Sequence, residues 1–154
     1  MTTTRDLVST HPFLEGLPEP WLARLSYQAR RSVHNAGSRL FSEGGRAQRF
    51  WLIRDGDVAI DFHVPGRGEV VIEHIGAGTV LGWSWMIKPY QWHFGAVAAQ
   101  QTLAIEFDAA GVQRLCDQEP ALGYELTRRF AEVLVDRLQA ARLRLVDLYG
   151  YPAA

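Results

Sequence analysis

Between residues 37 and 82 the chain meets a glycine every few positions: Gly37, Gly44, Gly45, Gly56, Gly66, Gly68, Gly76, Gly78 and Gly82. Short apolar runs lie between them. Val58, Ile60, Phe62 and Val64 alternate with Ala59, Asp61 and His63, a period of two that belongs to a strand. PGRG at 65–68 supplies a turn, and Val70, Val71, Ile72 and Ile75 continue as a return strand. Later, Leu103, Ile105 and Phe107 alternate with Ala104, Glu106 and Asp108. Many short strands with glycine at the corners predict a barrel or a sandwich. Each corner needs backbone at positive φ, or an approach too close for a Cβ.

The flanks carry a different period. Over residues 4–30, Trp21, Leu22, Leu25 and Ala29 follow Pro18 and Pro20 at spacings near three and four, which predicts a short amphipathic helix. Strands are expected over 32–108 and helices over 109–149. Asp108 can cap a short helix, and Pro120 suits the first turn of the next. From Tyr124 to Tyr149 the chain has neither Gly nor Pro, enough for a helix of roughly 37 Å. Leu134, Leu138, Ala141, Leu145 and Leu148 fall on it at spacings 4, 3, 4, 3, a two-heptad seam. That seam either packs on the chain's own barrel or outreaches it and pairs with a second copy, and a homodimer is the expectation. Arg137, Arg142 and Arg144 flank it and are expected in solvent. The whole, 1–154, is expected to be one domain.

Composition excludes several classes. A net charge of −1 calls for neither nucleic acid nor anionic lipid. Cys116 is the only cysteine, so a disulfide framework and a thiolate metal cluster are out. The N-terminus has no signal-peptide core, and no apolar run nears the roughly 20 residues of a membrane span. A cytoplasmic protein without a membrane partner is expected.

Three stretches carry a family likeness: LFSEGGRAQRFWLIRDGDVAI at 40–60, HIGAGTVLG at 74–82, and the span from Gly82 to Ala99. They resemble the cyclic-nucleotide-binding domain of the catabolite activator and fumarate-nitrate regulator superfamily. The resemblance implies a mainly β fold with flanking helices: a β-barrel of the double-stranded β-helix or jelly-roll kind, between N-terminal helices and a long C-terminal helix. It implies a phosphate-binding cassette at 82–96, written as a short helix whose N–H groups face the ligand. The ligand-binding set so placed is Gly82, Trp83, Ser84, Trp85, Trp92, His93, Phe94 and Ala96. Glu43, in FSEGG, serves the barrel corner in such proteins.

The cassette departs from the pattern of cyclic-nucleotide binders. The glutamate expected after Gly82, which holds the ribose, is Trp83, and the arginine expected for the phosphate is His93. The small residue after that arginine is Phe94. A histidine offers at most one pH-dependent donor where arginine offers a fixed charged fork. Losing such a pair costs about 1.5–3 kcal/mol, or about ten- to hundredfold in affinity. Tight binding of cAMP or cGMP is therefore not expected. Trp83, Trp85, Tyr90, Trp92 and Phe94 either cage a flat ligand or pack the core. His93 is either a donor in the pocket or an exposed side chain, and Lys88, before Pro89, reads as an exposed turn.

Other chemistry has weaker support. Cys116 has only acidic neighbours, which would raise its pKa. His11, His34, His63, His74 and His93 show no metal-ligand spacing, and nothing singles out a haem ligand. In the superfamily's transcription factors a DNA-binding helix pair follows the long helix, whereas here LYGYPAA, residues 148–154, ends the sequence. The expectation is a stand-alone, non-enzymatic sensor without direct DNA binding, with no cofactor beyond an unidentified small ligand or cyclic nucleotide. It would signal through the long helix to a protein partner. The other reading is a ligand-free scaffold.

Overall fold

The computed structural model describes residues 1–150, so Tyr151–Ala154, most of LYGYPAA, lie outside the described residues. The order of elements is α1 (Thr4–Thr10), α2 (Glu19–Ser26), β1 (Ala29–His34), β2 (Arg39–Phe41), β3 (Arg49–Asp55), β4 (Asp57–Val64), β5 (Gly68–Gly76) and β6 (Val80–Leu81). Then follow β7 (Gly95–Ala98), β8 (Thr102–Asp108), α3 (Ala109–Gln118) and α4 (Pro120–Leu148). Ala29, expected to end the first helix, opens β1 instead, because Ala29 pairs with Phe107 at the end of β8.

The strands form two four-stranded antiparallel sheets, in the orders β1-β8-β3-β6 and β2-β7-β4-β5. Their arrangement is jelly-roll-like: mainly β, with a long helix at the C-terminal side, and no continuous closed barrel. The glycine corners do what a Cβ would forbid. Gly56, at φ +113° between β3 and β4, sits so close to Thr102 that a Cβ would fall 2.7 Å from its Cα.

The core between sheets and helices is aromatic. Phe50 of β3 stacks on Phe107 of β8 at 4.7 Å, with Trp85 at 5.0 Å and the edge of Phe130 of α4 at 5.5 Å. Phe130 also meets Phe13, in the turn after α1, and Arg129 donates to the Phe13 carbonyl at 2.7 Å. Each ring of this kind removes apolar area worth about 1.5–3 kcal/mol.

Asp108 caps α3 by accepting from the Gly111 N–H at 3.1 Å, and Pro120 stands in the first turn of α4. The helix therefore begins earlier than the Gly-free run and passes through Gly123. There a Cβ would lie 3.0 Å from the Cβ of Cys116, so the glycine lets α4 cross close over α3. Leu122, Leu126 and Phe130 are the buried residues of α4. Beyond them Val133 still packs, partly buried, against the core, whereas Leu138, Leu145 and Leu148 are exposed.

Candidate functional site

Residues 82–96 leave the end of β6 at Gly82, make a single 3-10 turn at Ser84–Met86, loop out past Lys88 and return as β7. The resemblance implied a short helix here, but the turn is three residues long and has no side-chain cap. The loop is held from both sides. Ser84, fully buried, lies with its Oγ 2.8 Å from His93 Nδ1 and accepts the His93 N–H at 3.3 Å. Gln113 of α3 donates to the Trp85 carbonyl at 2.9 Å. Lys88 is exposed in a turn.

The aromatic side chains separate into two groups. Trp85 and Trp92 are buried. Trp85 joins the Phe50 stack, and its indole N–H donates to the Gly82 carbonyl at 3.2 Å. Trp92 lies flat on Phe41, centroids 3.7 Å apart, with Trp51 at 6.0 Å. Trp83 is half-buried, stacks on the exposed His93 at 4.6 Å and tilts against Phe94 at 5.9 Å. Phe94 is buried but lies at the foot of a cleft, and Ala96 is wholly buried in β7.

That cleft, of about 590 Å³, opens between β4, β5 and the cassette on one side and α4 on the other. Ile60, Phe62, Ile72, Trp83 and Phe94 form the sheet wall, and Leu134, Leu138, Ala141, Leu145 and Leu148 form the helix wall. The heptad seam thus faces its own sheet across a gap. Of the sequence-derived ligand set, Trp83 and Phe94 line this cleft. Gly82 and Ser84 shape the cassette, His93 backs Trp83, and Trp85 and Trp92 are packed in the core.

Sequence reasoning missed two features. Arg137, expected in solvent, is half-buried: its Nη2 donates to the Val80 carbonyl at 2.9 Å and it lines the cleft. Burial pushes its pKa down, while the Glu73 carboxylate favours its charged form. The signal was available, since 134, 137, 141, 144 and 148 lie on one helical stripe. The second feature is the Arg39–Asp61 pair. Asp61 of β4 is buried and accepts two bonds, from Nη1 at 3.2 Å and Nη2 at 2.8 Å. The Asp61 hydrogen bond raises the pKa of Arg39. The pair lies over Gly95, where a Cβ would fall 2.6 Å from Arg39 Nη1. A strand read by alternation gives no hint that Asp61 is buried beneath Arg39.

Glu43 Oε1 accepts the His63 N–H at 2.9 Å, tying the corner after β2 to β4. Among the described residues no group of His, Cys, Asp and Glu is placed to hold a metal, and no helix is long and apolar enough to cross a membrane.

Residues 31–119 match the family model described as the cyclic nucleotide-binding domain. No curated protein matches the sequence. Among solved structures, a protein of Geobacter metallireducens GS-15, described as cyclic nucleotide-binding, is 22% identical. It superposes with a TM-score of 0.78 over 90% of this chain and 99% of its own. The catabolite activator protein of Thermus thermophilus is 25% identical, with a TM-score of 0.69 over 90% of this chain and 63% of its own. The sensor domain of the transcriptional regulator DNR from Pseudomonas aeruginosa is 18% identical, with a TM-score of 0.70 over 88% of this chain and 91% of its own.

Proposed function

The chain belongs to the cyclic nucleotide-binding domain family, and on that premise we propose that it is a regulatory, non-catalytic ligand sensor with a rebuilt pocket. The observation that carries this reading is the cleft. It lies where β4, the cassette and α4 converge, and its walls are almost wholly apolar. Trp83 and Phe94 occupy its cassette side: Trp83 stands where the family's nucleotide binders place the ribose-holding glutamate, and Phe94 where they place a small residue. A cyclic nucleotide would lose its ribose carboxylate and its phosphate guanidinium there, so cAMP and cGMP bind weakly.

The cassette is coupled to the helix by packing. Trp85 meets Phe130 of α4 edge-on at 5.6 Å, and Phe94 and Trp83 face the distal half of α4 across the cleft. A ligand that fills the gap contacts both walls, and so shifts the balance between positions of α4. A second copy is the proposed partner. Leu138 and Leu145 border the cleft yet remain exposed, alongside exposed Tyr124, Val135 and Tyr149. Val135, Leu138, Leu145 and Tyr149 fall on the spacings of a coiled-coil seam, and a partner helix laid there would cover the open side of the cleft.

Calorimetry on the purified protein with cAMP, cGMP and cyclic dinucleotides tests the reading. Binding weaker than micromolar is expected, and micromolar or tighter cAMP binding would overturn the rebuilt pocket. Failure of Ala141→Trp to weaken any ligand later found would place binding elsewhere and leave the packed aromatics as a scaffold.

A further inference from the structure

Among the described residues none of the charged groups that line the cleft, Glu73, Arg137 and Arg144, forms an ion pair, and of the two cations only Arg137 is half-buried. Arg137 lies on α4 between Leu134 and Leu138 and reaches the start of β6, where it uses one N–H on the Val80 carbonyl. A guanidinium carries five N–H donors. The ion pairs of α4 are those of Arg128 and Arg129 with Glu125 and Glu132, and among the described residues Arg137 forms none. Glu73 lines the same cleft, yet no ion pair joins it to Arg137. A half-buried cation against apolar walls is costly unless an anion meets it. Arg144 lies two turns further along the same helix face and lines the cleft as well. Around these cations the walls offer flat and aliphatic surface: Trp83, Phe94, Ile60 and Phe62 on one side, Leu138 and Ala141 on the other.

We propose that the cleft takes a small organic acid with a flat apolar body, its carboxylate on Arg137 and its body between Trp83 and Leu138. This rests on the reading of the cleft as the ligand site and names the ligand class. The cleft's 590 Å³ lies within the range of about 300–1,000 Å³ typical of small-molecule sites. The two halves of the cleft demand different chemistry. The apolar walls reject a polar body, because its groups would lose water without gaining partners. The guanidinium favours an anion over a neutral isostere, because only the anion forms charge-assisted hydrogen bonds.

The test uses the full chain and a matched pair of probes, 1-naphthylacetate and 1-naphthylacetamide, which share one aromatic body and differ in charge. Titration calorimetry is expected to show the acid binding about ten- to hundredfold more tightly than the amide. Arg137→Met should bring the acid to the level of the amide and leave the amide unchanged. Glu73→Gln should tighten the acid alone. Arg137→Met also removes the donor to Val80, so Ala141→Trp serves as an independent variant that fills the cleft and should abolish binding of both probes. Equal binding of acid and amide by the wild-type protein, or a preference for the acid that survives Arg137→Met, overturns the acid class while leaving the cleft as a site. Binding of both probes undiminished by Ala141→Trp overturns the cleft reading itself. Binding of neither probe overturns the proposed class.

Discussion

Gly82 faces the ring of Trp92 so closely that a Cβ on it would lie 2.9 Å from Cη2, and its φ of +98° is one that side chains rarely adopt. The glycine is the hinge at which the chain leaves β6 for the cassette, and Trp92 closes over it from the loop that returns to β7. Gly82→Ala should therefore destabilise the fold by about 2–4 kcal/mol, from backbone strain and overpacking together. Urea denaturation measures it. Trp92→Phe, which withdraws the clashing atom, should make the double variant less costly than the sum of the two single changes.

The Arg39–Asp61 pair makes a prediction of asymmetry. Asp61 is 4% exposed, and Arg39 supplies both of its ionic hydrogen bonds. Arg39→Met alone strands a buried carboxylate and should cost about 3–5 kcal/mol. Arg39→Met with Asp61→Leu removes both charges and should recover most of that loss. A double variant no more stable than Arg39→Met would show that the pair is not the source of the cost.

His11 ties the N-terminal helices to the sheet. Its Nδ1 accepts the Phe13 N–H at 3.1 Å, so its Nε2 carries the proton and donates to the Ile53 carbonyl at 2.9 Å. Burial pushes its pKa below the ordinary histidine value, and does the same to His34. The unfolded chain then binds more protons than the folded one near and below about pH 6.5. Stability is full above that pH and falls on acidification toward the lowered folded values. A thermal melt should show a lower Tm at pH 5.5 than at pH 7.5, with a smaller difference in His11→Asn. An unchanged difference would assign the acid sensitivity to other groups.

The exposed stripe on α4 should hold two copies together. Leu138→Lys with Leu145→Lys is expected to yield a monomer by light scattering from a wild-type dimer. The buried positions Leu122, Leu126 and Phe130 are untouched, so the fold should persist by circular dichroism. A wild-type mass equal to one chain would mean that these leucines serve the cleft alone.

Much of the architecture is legible along the chain. The glycine spacing and the period-two runs locate the strands, Asp108 and Pro120 locate the helix starts, and the family likeness places 82–96 as the cassette. The site is less legible. Trp83 and Trp85 are two residues apart in one apolar stretch, yet one lines the cleft and the other joins the core. The backbone between them is a 3-10 turn, so neither helical nor strand periodicity assigns their directions. The helical stripe places Arg137 on the face of Leu134 and Ala141, but its bond to Val80 depends on where β6 begins in space.

By itself the sequence determined the strand corners and the presence of a long last helix, because these follow from local backbone freedom and from periodic burial. Only the tertiary structure decided which aromatics fill the core, that Asp61 is buried against Arg39, and that the leucine seam faces its own sheet across a gap. Those outcomes depend on what a neighbouring sheet or helix leaves uncovered, and contacts between residues far apart in the chain carry no local pattern from which to read them.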